Sequence, residues 1–396
     1  MKCISDVIYH VQEQLSCGWQ TVFSYLCNDF RNSMMEKEKI IAALRTVNDP
    51  DFNKDLVTLN MIDKLEIGDR KVAFTIVLTT PACPLKDRMK NDCITAIHAV
   101  YPEAEVEVSF TSKVTSREEK PSHENIKNII AVISGKGGVG KSTVAVNLAA
   151  GLARAGAKVG LVDGDIHGPS IPLMFGMQNA HPQVVEKDGK QLIIPFEKFG
   201  VKLVSMGFFA DPGKALIWRG PMIASAFTQI MNDTDWGELD YLVFDTPPGT
   251  GDIHLTLVQN YSVTGIVVVS TPQEVALADA RKALNMFVDQ KVNVPVLGIV
   301  ENMSYFSPPE MPDKKYYLFG KEGARKLAAQ NNIRLLAEIP LVESVSESGD
   351  KGIPAVCDDN NPLQNAFMSM AQNTAQAVAI RNATLDPTKI VEVSNQ

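Results

Sequence analysis

Residues 129–155 read IIAVISGKGGVGKSTVAVNLAAGLARA, and the rest of the chain is best read outward from them. Ile129 to Ser134 is an apolar, β-branched run of strand character. Gly135-Lys136-Gly137-Gly138-Val139-Gly140-Lys141-Ser142 follows and fits the pattern G-x-x-x-x-G-K-S/T; from Ser142 and Thr143 onward the composition is helical. Strand, glycine-rich loop and helix start are what a phosphate chain requires. Glycines let the backbone curl with its N–H groups pointing inward. The helix N-terminus adds partial positive charge. At this offset Lys141 can reach the β- and γ-phosphates, and the Ser142 hydroxyl can ligate Mg²⁺. A glycine-rich turn that merely precedes a helix has no need of Lys-Ser in that register. The stretch therefore predicts ATP and Mg²⁺ as cofactors, cradled by Gly135 to Thr143.

Beyond Lys127, further apolar runs at 158–163, 201–206, 241–245, 265–270, 295–300 and 333–339 alternate with helical segments. Continuous apolar runs indicate strands buried on both faces of a parallel sheet, and the intervening helices imply right-handed crossovers. The expected fold class is α/β: a doubly wound parallel-sheet P-loop NTPase domain with its ligand at the carboxyl ends of the strands, preceded by a small α/β domain. That small domain is expected over 34–110. Ile40, Ile41 and Leu44 have helical spacing, and Asn48-Asp49-Pro50-Asp51 ends the helix. Lys71–Thr80 reads as a strand, Pro84–Val100 as a helix with Met89, Cys93, Ile97 and Val100 on one face, and Glu103–Phe110 as another strand. The polar stretch 111–126, with Pro121, is the expected linker. The ATPase domain is expected over 127–382 and a loosely ordered tail over 383–396. Residues 1–33 have two readings: a short helix, or an over-extended start ahead of Met34 and Met35.

The 396 residues suit two domains, and 45% hydrophobic with 21% charged residues is an ordinary globular balance. The longest apolar runs fall far short of the roughly 20 residues of a membrane helix, and Glu13, Gln14, Asn28 and Asp29 interrupt any signal-peptide core. The net charge of −8 gives no support to a nucleic-acid partner. The six cysteines, Cys3, Cys17, Cys27, Cys83, Cys93 and Cys357, form no Cys-x-x-Cys pair and are too sparse for a disulfide scaffold. Reduced thiols and a cytoplasmic location are expected.

Carboxylates fall where a bound magnesium would need them. Asp245 ends the apolar run YLVFD, and an acid at the end of a strand beside the P-loop strand can hold Mg²⁺ through a water. Asp163 and Asp165 end the second run, in LVDGDIHGPS; Asp165 is the better placed to orient the attacking water, with Asp163 in support. Hydrolysis of this kind needs mostly positioning and charge stabilisation. Lys141, Asp165 and Asp245 therefore suffice as its core, with Lys136 a second lysine early in the loop. Thr246-Pro247-Pro248-Gly249-Thr250-Gly251-Asp252 combines stiff and permissive residues. It reads either as a switch that senses the γ-phosphate or as a rigid turn. His167 and His254 lack partners at metal-ligand spacing and read as structural or substrate-adjacent. Asn302 lies just past the run PVLGIV; its amide could read adenine through a paired donor and acceptor or cap a turn.

GKGGVGKST, DGDIHGPS, the WRGPM segment from Trp218 to Met222, FDTPPGTGD and ENMSYF, in that order, resemble the Mrp/ApbC family of iron–sulfur cluster carrier ATPases, relatives of MinD and ParA. DTPPGTGD and WRGPM separate that family from the partition ATPases, and ESVSESGDKGIP (343–354) resembles its closing motif. The resemblance implies ATP-driven assembly or transfer of iron–sulfur clusters, a homodimer with ATP at its interface, and assembly proteins and apo-protein acceptors as partners. Lys136 resembles the signature lysine of the deviant Walker A motif, which reaches the partner's nucleotide. Asn302 becomes an adenine contact. The N-terminal unit is similar to the small cluster-assembly domain of the longer members through residues 48–62 and TTPACPL (79–85), where Cys83 falls at the reactive-cysteine position. Cys83 reads as a metal-delivery thiolate or as a small packing residue.

One departure from the family pattern matters. Most members follow ENMSYF with a Cys-x-x-Cys, and two thiolates from each subunit complete the ligands of a bridging 4Fe–4S cluster. Here the segment reads Ser307-Pro308-Pro309-Glu310-Met311-Pro312. That route to a cluster lacks its ligands, while every nucleotide residue is present. Two other functions compete. A MinD/ParA-like positioning ATPase would want lysines and arginines on the helix near Leu363–Ile380, which has none. A nucleotide-gated scaffold would not need Lys141, Asp165 and Asp245 intact.

Overall fold

The computed structural model describes residues 35–116, 125–166, 168–187, 189–209, 220–308, 310–311 and 313–390. Residues 1–33, Pro121 in the expected linker, His167, Trp218, Pro309, Pro312 and the end of the tail from 391 lie outside them. The chain divides into two compact units, one formed by the residues up to Leu78 with Leu85–Thr111, the other by Thr79–Pro84 with the residues from Ser112 on.

The first described element of the smaller unit is α1 (Lys37–Leu44). A short antiparallel ribbon follows, β1 (Asn48–Asp49) with β2 (Lys54–Asp55). At its turn the buried Asp49 carboxylate accepts the Asp51 and Phe52 N–H groups at 2.8 and 3.2 Å. Strands β3 (Ile62–Ile67), β4 (Lys71–Leu78) and β5 (Glu105–Ser112) make a sheet in the order β3-β4-β5, with α2 (Lys86–His98) between the last two in sequence. The alternation along β4 buries Val72, Phe74, Ile76 and Leu78. Met89, Cys93 and Ile97 form the buried stripe of α2 as their spacing predicts. Val100 does not join them: the helix ends at His98, and Val100 is 42% exposed.

The larger unit holds an eight-stranded sheet. Its elements in chain order are β6 (Ile129–Ile133), α3 (Lys141–Arg154), β7 (Val159–Asp163), α4 (Ile171–Met174), β8 (Gln183–Lys187), β9 (Lys190–Ile194), β10 (Phe196–Lys198), β11 (Val201–Ser205), α5 (Gly220–Asp233), β12 (Tyr241–Asp245), α6 (Asp252–Asn260), β13 (Gly265–Ser270), α7 (Glu274–Val288), β14 (Val296–Asn302), α8 (Gly323–Gln330), β15 (Leu335–Ile339), α9 (Glu343–Lys351) and α10 (Gln364–Thr384). The sheet order is β10-β11-β7-β12-β6-β13-β14-β15, parallel except for the antiparallel edge strand β10.

Every residue of β6, β7, β12 and β13 is buried, because helices cover both faces. Along β6 the side chains divide between two cores. Ile130 and Val132 join the one built with α3 and α10; Ile129, Ala131 and Ile133 join the one built with α5, α6, α7 and α8. β6 is central. Its crossover through α3 leads to β7 on one side, and β13 pairs on the other, so the strand order reverses at the carboxyl end of β6.

Three features of the larger unit depart from the sequence reading. The hairpin β8–β9 adds a separate ribbon where none is expected. β14 runs to Asn302, so that residue closes the strand and does not follow it. The chain after Asn382 is also anchored: α10 continues to Thr384, and the buried Thr388 hydroxyl accepts Arg381 Nη2 at 2.7 Å.

Candidate nucleotide site

Between β6 and α3 the chain makes the tight curl that its glycines permit. Gly138 and Gly140 both have φ of +82°, and Gly140 caps the start of α3. The loop is tied down from three sides. Ser134 Oγ donates to the Lys136 carbonyl at 3.0 Å. The Gly249 N–H, from the proline-rich segment after β12, donates to the Ser134 carbonyl at 2.9 Å. Asn302 Nδ2, at the end of β14, donates to the Val139 carbonyl at 2.9 Å.

Lys141 opens α3 and is almost fully buried. Its Nζ lies 2.6 Å from Asp245 Oδ1, while Ser142 Oγ donates to Asp245 Oδ2 at 2.6 Å. The parallel pairing of β12 with β7 sets Asp245 opposite Asp163. Asp163 is wholly buried and accepts Ser205 Oγ at 2.9 Å and the Asp165 N–H at 3.2 Å. Burial, and then the neighbouring Asp245 charge, push its carboxyl up to about 7. Burial also raises Asp245, opposed by the Lys141 ammonium and by the Lys141 and Ser142 hydrogen bonds. Two acids and one ammonium thus share a buried pocket, where a divalent cation that displaced the proton from Asp163 would be well compensated.

Asp165 is half-buried on the loop beyond β7, where its Oδ1 accepts the Gly168 N–H at 3.3 Å. Lys136 is half-buried, and Gly137 and Gly138 face solvent. Beside the loop a cavity of about 330 Å³ is lined by Gly140, Thr143, Asn302, Met174, Leu341 and Val345, among others. A purine-sized group fits that volume. The Asn302 amide, half committed to Val139, keeps its oxygen and one N–H for such a group.

Residues 135–143, Asp163, Asp245 and Asn302 are therefore brought to one place. Cys83 is not brought there. It is half-buried in the Thr79–Pro84 segment, where Thr80 Oγ1 bonds the Tyr241 hydroxyl at 3.1 Å, at the opposite end of β12 from Asp245. Among the described residues no cluster of three or more His, Cys, Asp or Glu is placed to hold a metal ion. Cys93 is sealed in the core of the smaller unit, and burial pushes its thiol up to about 12. Burial raises Cys357 too. Neither is a ready thiolate. Sequence reasoning passed over Ser205 and Thr246. Ser205 ends a strand adjacent to β7, which is the signal that could have marked it; Thr246 sits one residue from Asp245 and was read only as part of a loop.

Residues 125–375 match the family model described as NUBPL iron-transfer P-loop NTPase. The chain belongs to that family. Residues 37–110 match a second model, the iron–sulfur cluster assembly protein family. Members similar to this chain over nearly their full length include the iron-sulfur cluster carrier protein of Synechocystis sp., 48% identical over 88% of this chain and 99% of that protein. The carrier protein of Deinococcus radiodurans is 44% identical over 89% of this chain and 99% of its own length. Among solved structures, the nucleotide-binding protein of Archaeoglobus fulgidus in complex with ADP is 40% identical, covers 58% of this chain and 88% of that one, and superposes with a TM-score of 0.50. The motif resemblance and the P-loop NTPase fold agree with these matches. Among the described residues no helix is long and apolar enough to cross a membrane.

Proposed function

We propose that this protein binds Mg²⁺·ATP in the β6–α3 loop, hydrolyses it slowly as a homodimer, and uses that cycle to assemble iron–sulfur clusters or transfer them to apo-proteins in the cytoplasm. The observation that carries the nucleotide reading is the convergence of Lys141, Ser142 and Asp245 within 2.6 Å contacts at the start of α3. Two left-handed glycines in the preceding loop support it. In this reading Lys141 and the loop N–H groups hold the phosphates, Ser142 and Asp245 hold the cation, and Asp165 orients water. Lys136 reaches a partner's nucleotide, and Asn302 contacts the base. The family and its carrier-named relatives support the cluster cargo.

The donor set among the described residues does not hold a four-ligand cluster within one chain. The cluster is therefore cargo, with thiolates from a second copy or an assembly partner completing its ligands and Cys83 as the thiol offered by this chain. A membrane- or DNA-positioning role has less support: the one arginine of α10, Arg381, is buried and bonded to Thr388 and Asp386. The test is anaerobic reconstitution of the full chain with iron and sulfide, followed by cluster transfer to an apo-ferredoxin with and without ATP. Cluster absorbance lost in Cys83→Ala, and transfer that fails in Lys141→Ala, are expected. A protein that never acquires the chromophore, alone or with thiol donors, would end the carrier reading and leave an ATPase.

A further inference from the structure

His254 lies in the first turn of α6 and is 1% exposed, yet the roles assigned so far make no use of it. Its Nε2 is 3.1 Å from Thr246 Oγ1, the residue directly after Asp245. Thr246 is itself wholly buried, and both its N–H (3.2 Å) and its hydroxyl (3.0 Å) donate to the Val132 carbonyl on β6. The hydroxyl proton is thereby committed to Val132. What Thr246 Oγ1 can still offer is a lone pair, so His254 Nε2 must be the donor. The other tautomer would forfeit the Thr246–Val132 hydroxyl bond.

The consequence reaches the catalytic end of the sheet. Val132 is the penultimate strand residue before the phosphate loop, and Asp245 is the last of β12. Imidazole, hydroxyl and carbonyl form a three-member chain that pins the end of β12 to the end of β6 and ties both to the first turn of α6. The excursion 247–253 leaves and returns across this staple, and its Gly249 N–H binds the Ser134 carbonyl. The ring sits edge-on to Phe287, with centroids 6.1 Å apart, in an apolar socket. Burial accordingly pushes the imidazole down to about 4, so it is neutral at physiological pH.

We infer that His254 is the positioning residue of this hydrolytic site: its Nε2–H fixes Thr246, and through Thr246 the end of β12 that carries Asp245 to Lys141 and Ser142. The inference rests on the proposed ATP hydrolysis for its purpose, but its geometry can be measured without it.

Two experiments on the full-length protein decide it. The first is a long-range proton–nitrogen correlation spectrum of ¹⁵N-histidine protein without nucleotide, with His254 assigned through His254→Gln. A neutral ring with Nε2 protonated and Nδ1 bare at pH 7 is expected; a protonated Nδ1, alone or with Nε2, overturns the inference. The second is steady-state hydrolysis by His254→Phe, which keeps the ring packing on Phe287 and removes the donor. Displacement of a carboxylate by a fraction of an ångström predicts a kcat roughly ten- to a hundredfold lower with KM for ATP changed less than about threefold. Partial recovery is expected in His254→Gln, whose amide can donate to Thr246. Native kcat in the Phe variant, or a folded Phe variant that loses ATP binding and turnover together, overturns it. If His254→Phe does not fold, the tautomer alone decides. An unsubstituted protein that binds but never hydrolyses ATP would refute the proposed function and leave the tautomer result standing.

Discussion

The loop glycines make opposite demands, and the structure ranks them. A Cβ on Gly135 would lie 2.1 Å from the Asp279 carbonyl carbon and 2.5 Å from the Ala280 nitrogen, both backbone atoms of α7. Ordinary contact begins at 3.4 Å, so loop and helix must part by about 1.3 Å, an overpacking cost at the upper end of the usual range, about 3 kcal/mol. On Gly137 a Cβ would meet only Pro248 Cγ, at 4.0 Å. Gly137→Ala should therefore be neutral or slightly stabilising in the nucleotide-free protein, through the unfolded chain's lost freedom. Gly138 has open space but φ of +82°, so its alanine variant should cost about 1 kcal/mol in backbone strain alone. Gly140 carries both burdens, the same φ and the Asn302 Nδ2 at 2.1 Å, and should approach Gly135 in cost. Thermal unfolding without nucleotide reads the series. At about 2–4 °C per kcal/mol for a domain of this size, Gly135→Ala should lose roughly 6–12 °C, Gly138→Ala a few degrees and Gly137→Ala none. Equal losses for Gly135→Ala and Gly137→Ala would refute the reasoning, because they would mean that α7 does not back the loop.

Two further outcomes follow from the same site. Asp163 titrates near 7 when folded against an ordinary 3.8, so between those values the folded protein keeps a proton that the unfolded chain releases. The nucleotide-free protein should lose stability as pH rises from about 4 to 7, and Asp163→Asn should flatten that slope in a pH series of chemical denaturations; an unchanged slope would assign it elsewhere. Asn302→Ala removes the donor to Val139 and the amide facing the cavity, so calorimetry should show ATP affinity falling by about tenfold, the worth of one to two hydrogen bonds, while inorganic triphosphate, which lacks the base, loses less.

What could be read from the sequence divides along a physical line. Lys141, Ser142 and the loop glycines were legible because the partner proposed for them is a phosphate chain, whose geometry fixes residue type and offset before any tertiary structure exists. The strands β6, β7, β12 and β13 were legible because burial on both faces forces an unbroken apolar run. The hairpin β8–β9 gives no such run, since every residue of β8 is exposed. Nor does a hydrophobic pattern report Arg381 reaching Thr388, which is why the chain after Asn382 looked loose.

Asn302 shows the same division within one side chain. The sequence left it as an adenine contact or a capping amide. Its Nδ2 does cap, on Val139, and the rest of the amide still borders the cavity, so the alternatives were not exclusive. Ser205 and His254 stand one step further out. Each supplies one hydrogen bond to a residue at the ends of β7 and β12, and any donor of the right reach could do so. Chemistry with the ligand writes itself into residue type; support of those residues is written only in distance. A supporting residue therefore becomes visible when its own bonds are counted to the last proton, as Thr246 requires of His254.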